Sequence, residues 1–239
     1  MTVADDETMS STGAAQHGSV ATHGWKRWEP LTGIAFVACF IGSVVVSMPP
    51  AATASNKDWV ANYTGHGNQA QHVATGILLV LAGLCLMSFL TTLWTRIAAA
   101  RRPGTLGPLP LVAAGVSAAC FAAGGVLMAG ISASALIGSA PLPRADLLRF
   151  GNDLGFGMVG LGGMLAAALS IGCLSVQARS AGLFGTPLMI VGLVVAVVLL
   201  GSLAFVPILA LLIWVIAVTI VLMRRGSGAV GTPELLSNQ

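Results

Sequence analysis

Apolar residues in this chain fall into long unbroken blocks instead of the short alternations of a water-facing surface. The clearest block, Val73 to Trp94, has no charged residue in twenty-two positions. At ~1.5 Å of rise per residue it is long enough to cross a ~30 Å hydrocarbon layer as a helix. Leu31 to Met48 forms a first block, stopped by Pro49-Pro50, and Leu109 to Leu136 forms a third. A fourth, glycine-rich block begins at Phe150-Gly-Asn-Asp-Leu-Gly155. The run from Leu183 to Met223 is too long for one crossing and divides between Gly201-Ser202 and Pro207. The pattern predicts an all-α polytopic bundle of six transmembrane helices, at about 31–48, 73–94, 109–136, 150–175, 185–202 and 207–223.

The flanks are different. Residues 1–24 are rich in Ser, Thr, Gly and Ala with no apolar period, which predicts a disordered tail; residues 226–239 read as a polar C-terminal tail. The membrane domain therefore occupies 25–225, opened by Trp25-Lys-Arg-Trp28, an aromatic and basic interfacial anchor. The first block, followed by Ala52-Thr53-Ala54, has the outline of a signal peptide, but it begins only at Leu31, so a retained helix is expected. Between the first two blocks, Ser55-Asn-Lys-Asp58 has the form of a capping box that opens a short helix on the bilayer surface. Trp59 and Tyr63 share one face of that helix.

Charge gives the bundle a direction. With the N-terminus inside, eight basic residues are cytoplasmic (Lys26, Arg27, Arg96, Arg101, Arg102, Arg179, Arg224, Arg225), against Lys57, Arg144 and Arg149 outside. Both termini are therefore expected in the cytoplasm. Composition agrees: 56% hydrophobic and 8% charged residues leave too little charge to coat a soluble domain, so lipid is the solvent. The basic residues make no stripe interleaved with aromatics, which argues against nucleic acid. High Ala, Gly and Val usage points to a bacterial plasma membrane.

Small residues suggest where helices meet. Gly115, Ala119 and Ala123 repeat every fourth position, followed by Gly125 and Ala129, and Gly151 and Gly155 make a GxxxG pair, so tight packing or self-association through Gly151, Gly155, Gly115 and Ala119 is expected. Cys39, Cys85, Cys120 and Cys173 each fall in a different apolar block, with no CxxC, and read as buried hydrophobes and not as a disulfide framework or zinc site.

The polar residues with the best claim to function cluster on the predicted outer side: Asp58, Tyr63, His66 and His72 from the first loop, with Arg149, Asn152 and Asp153 at the mouth of the fourth helix. Ionisable groups at membrane depth are costly and need partners. Arg149 precedes Asp153 by one turn, and contact of this mouth with His66 or His72 is expected. The structural alternative is that Asn152 and Asp153 favour a helix N-terminus. His66 and His72, six apart, do not share a helical face, so neither a metal site nor another cofactor is expected, and His17 and His23 belong to the tail. Signatures of a nucleophile elbow, HExxH zinc helix, Walker loop and intramembrane serine protease are missing from the sequence.

A first helix, an outer loop with a Tyr-centred short helix, a second helix with Phe89 and Trp94 near its end, and Phe150-Gly-Asn-Asp-Leu-Gly155 together resemble uncharacterised six-helix integral membrane proteins of actinobacteria. Gly182-Leu-Phe-Gly-Thr-Pro-Leu188 and Pro207-Ile-Leu-Ala-Leu-Leu-Ile-Trp214 are similar to that group's closing hairpin. The resemblance covers about residues 25–225 and implies fold and location, with no activity to carry over. The expected role is a non-catalytic structural or accessory membrane component. The rivals are a small-solute or ion transporter or channel using the outer patch and, more distantly, a membrane enzyme. Small hydroxyls, Thr75, Ser88, Ser117 and Ser170, are the main polar groups of the helix interiors.

Overall fold

The computed structural model describes residues 31–46, 49–51, 53–100, 107–201 and 206–227, and every regular element among them is helical. The helices are α1 (Leu31–Val46), α2 (Asn56–Tyr63), α3 (His66–Ala100), α4 (Leu109–Gly138), α5 (Ala145–Gly157), α6 (Met164–Ser180), α7 (Thr186–Leu199) and α8 (Val206–Ser227). α5 runs into α6 through a π-helical segment, Met158–Gly163. The expected all-α, membrane-embedded class holds. Four helical stretches are long and apolar enough to cross a bilayer: His66–Ala100, Leu109–Gly138, Ala145–Ser180 and Pro207–Arg224. α1 and α7 are apolar but shorter, at 16 and 14 residues.

Several expected boundaries move. The second block, expected at 73–94, is helical from His66, because Gln69 and His72 are buried against α2 and keep the polar approach in helical register. The fourth, expected to open at Phe150, starts at Ala145, directly after Pro143 and the extended Arg144. Asn152 and Asp153 therefore lie two turns inside the helix and are not its cap. α7 ends at Leu199, short of 202, while α8 takes in Gly226 and Ser227 from the expected tail. The tails 1–24 and 228–239 and the Trp25–Trp28 anchor lie outside the described residues.

Close backbone contact sets the centre of the bundle. A Cβ added at Gly125 would stand 2.7 Å from the Gly76 carbonyl oxygen, and one at Gly83 would stand 2.7 Å from Phe121 Cβ, so α3 and α4 meet antiparallel at van der Waals limits. On its other side α4 receives α5, where a Cβ at Gly124 would stand 2.8 Å from the Gly155 carbonyl. The packed small residues are thus Gly76, Gly83, Gly124, Gly125 and Gly155. The expected stripe of Gly115, Ala119, Ala123, Gly125 and Ala129 divides: Gly125 and Ala129 meet Gly76 of α3, whereas nothing lies near Gly115, and Ala119 is exposed. Four-residue spacing alone does not distinguish the part of the stripe that a neighbouring helix covers.

Hydroxyls tie the helices crosswise. Thr75 Oγ1 donates to the Ser43 carbonyl (3.5 Å), Ser117 Oγ to Gly163 (2.8 Å) and Ser170 Oγ to Pro110 (2.8 Å). The Ser117 bond falls at the end of the π segment, where α6 begins. Phe36, Phe40 and Phe121 form an aromatic cluster with centroids 6.0 to 6.3 Å apart. Phe89 meets Trp214 edge-on, which brings α8 onto α3.

Candidate functional site

At one end of the bundle α2 bridges the N-terminal turns of α3 and α5. Its start is fixed locally: Ser55 Oγ donates to Asp58 Oδ2 (2.7 Å), the Asp58 amide donates to Ser55 Oγ (3.3 Å) and the Ser55 amide donates to Asp58 Oδ2 (3.1 Å), so the capping box forms as expected. Its end turns sharply into α3 at Gly65, whose φ of +88° is open to glycine and costly for other residues. Asn68 Nδ2 secures that turn by donating to the carbonyls of Ala61 (3.2 Å) and Thr64 (3.1 Å).

The eight residues of α2 present two faces. Asn56, Lys57, Asp58, Val60 and Ala61 are exposed, while Trp59 and Tyr63 are only 3% and 2% exposed. The aromatic face is not laid on a bilayer surface, as expected from sequence, but packed on protein. Trp59 and Tyr63 share a small core with Ala145 and Leu148 of α5, flanked by Ala54, Ile131 and Leu142.

Each aromatic has a polar companion. The Tyr63 ring stacks on His72 with centroids 4.2 Å apart and planes 10° from parallel. His72 Nε2 is 2.9 Å from Asn62 Oδ1, a hydrogen bond that requires the imidazole proton on Nε2. Gln69 Nε2 donates to the Tyr63 carbonyl (3.3 Å). On the α5 side the Arg149 guanidinium lies 5.6 Å from the Trp59 ring centroid, and its Nη2 donates to the Ala54 carbonyl. Burial, followed by the negative Asp153, pushes the Tyr63 phenol from its usual 10 up to about 12.

The expected convergence is therefore realised through α2, with different pairings. Arg149 faces the Ala54 carbonyl and Trp59, in place of the expected ion pair with Asp153. Asp153 is exposed and acts on Tyr63, not on an imidazole. His72 meets Tyr63 and Asn62, His66 is exposed, Asp58 is spent in the cap, and Asn152 is buried. Trp59, Asn62 and Gln69 belong to the site and were not among the expected residues. The i, i+4 spacing of Trp59 and Tyr63 was the available signal for Trp59, because two large rings on one face of an eight-residue helix need a surface to cover them.

Two buried donors in this region, Trp59 Nε1 and Arg149 Nε, have no hydrogen-bond partner. Among the described residues no three His, Cys, Asp or Glu side chains are grouped as metal ligands. The arrangement clamps helices together and holds one carboxylate beside one phenol. No family description, curated protein or solved structure matches the chain.

Proposed function

We propose that this protein is a six-crossing component of a bacterial plasma membrane with no catalytic chemistry of its own, serving as a structural or accessory partner to other membrane proteins. The observation that carries this reading is the use made of the polar residues. Arg149, His72, Asn62 and Gln69 are all engaged in fastening α2 to its neighbours. Thr75, Ser117 and Ser170, three of the interior hydroxyls, donate to carbonyls of adjacent helices, while the buried Ser132, Ser175 and Thr219 hydroxyls have no hydrogen-bond partner.

Six crossings are supported by register. α1 runs beside the apolar part of α3, with Gly33 against Phe89 and Ser43 against Thr75, which supports counting it as a crossing despite its 16 residues. α7 runs antiparallel to α6, with Gly172 near Ala196 and Gly192 near Ser175, and Gly192 also meets Trp214 of α8. The packing of α7 between α6 and α8 supports counting it with them. The excess of basic residues between and after these helices supports cytoplasmic termini. The actinobacterial resemblance points the same way.

Gly115 and the exposed Ala119 offer a small-residue face to which a partner helix has access. The test is isolation in native-lipid discs. The accessory reading expects a second chain in fixed stoichiometry, lost on Gly115→Leu with Ala119→Leu while helicity is retained. A second reading, an outer-mouth site for a small solute, is favoured by the unpartnered Trp59 Nε1 and Arg149 Nε donors. Solute flux by the protein alone in liposomes, abolished by Arg149→Gln, would replace the first reading by this one.

A further inference from the structure

Cys39 sits halfway along α1 and Cys85 lies in the uncharged part of α3. The two thiols are close enough to act on each other electrostatically. The antiparallel register of the helices brings the two thiols near each other independently. Ser43 meets Thr75, Gly42 meets Leu78 and Gly33 meets Phe89, which brackets Cys39 between contacts on either side and leaves Cys85 within about a helical turn of it. Both thiols are free and half-buried, at the edge of the main apolar core and not sealed inside it.

We propose that Cys39 and Cys85 are a redox pair within the bilayer, closed to a disulfide between α1 and α3 by a lipid-soluble oxidant of the quinone class. Two S–H bonds break and one S–S bond forms; the two electrons and two protons pass to the quinone, which leaves as the quinol. The closed form ties α1 to α3, and thiol reductant reopens it. Cys120 and Cys173, on α4 and α6, stay outside this exchange. Depth selects the oxidant: Cys39 and Cys85 are both near the middle of their apolar blocks, where an apolar two-electron acceptor has access and glutathione does not.

The experiment uses the full chain, reduced and then reconstituted in lipid nanodiscs, exposed to a short-chain benzoquinone, acid-quenched, alkylated and mapped by peptide mass spectrometry. The expected result is loss of two of the four cysteine adducts, those at Cys39 and Cys85, with a linked peptide containing both and full recovery after dithiothreitol. A Cys120→Ser, Cys173→Ala variant, which leaves the pair untouched, loses all its adducts under the same treatment. Retention of the Cys39 and Cys85 adducts after oxidation overturns the proposal. So does a linkage that runs to Cys120, to Cys173 or between molecules.

Discussion

Tyr63 is the only tyrosine in the chain, so its ionisation is read directly from phenolate absorbance. The intact protein should titrate with a midpoint near 12, and Asp153→Asn should lower it by removing the neighbouring negative charge. A midpoint at the ordinary value of about 10 in the folded protein would contradict the buried stack. Because the folded value is raised, the contribution of this phenol to stability is complete below about pH 10 and is lost as pH climbs through about 12. Trp59→Ala removes a nearly fully buried ring and should cost roughly 3–5 kcal/mol in denaturant unfolding. Arg149→Lys keeps the charge but not the planar face over Trp59, and should cost a smaller amount, about 1 kcal/mol. No loss from Arg149→Lys would show that the guanidinium plane contributes nothing. At this scale the sequence identified Tyr63, His72 and Arg149 but missed Trp59, Asn62 and Gln69, and did not say who pairs with whom. Arg149 and Asp153 stand one turn apart and read as an ion pair, yet their partners are decided by α2, whose placement no local pattern encodes.

Among elements, the capping box and the Trp59–Tyr63 face were legible because both are local: four consecutive residues make the cap, and one helical turn makes the face. The start of α5 and the π segment were not. A glycine-rich run such as Met158–Gly163 is compatible with several backbone windings, and its carbonyls meet groups on another helix, as where Ser117 donates to Gly163. Ser117→Ala should therefore destabilise the protein by about 1 kcal/mol, in the range of interhelical hydrogen bonds in membranes, measured by thermal unfolding in detergent. Gly125→Leu tests the tighter contact. Its side chain would enter the Gly76 backbone, so α3 and α4 should separate and the unfolding temperature should drop far more than for the same change at the open Gly115. Similar drops at both positions would mean that the α3–α4 seam is not where the bundle is held. Spacing named Gly115 and Gly125 alike, since small residues on one helix look the same until the neighbouring helices choose a face.

For the whole molecule, hydropathy was enough to place the chain in lipid, because an uncharged block as long as Val73–Trp94 has few other uses. Counting crossings needs more than length. α1 and α7 are shorter than a bilayer is thick, and the register of α1 on α3 and of α7 between α6 and α8 is what argues that they pass through it. The alternative is four crossings, by α3, α4, the joined α5–α6 and α8 alone. The two schemes differ in one relation: six crossings put the α2 region and the C-terminus on opposite sides, whereas four put them on the same side. A pair of fusions to the full chain, one in the α2 region at Lys57 and one after Arg225, each carrying in turn a cytoplasmic and an extracytoplasmic reporter, measures that relation directly. The six-crossing account predicts extracytoplasmic activity at Lys57 and cytoplasmic activity after Arg225; the same reporter active at both positions would contradict it.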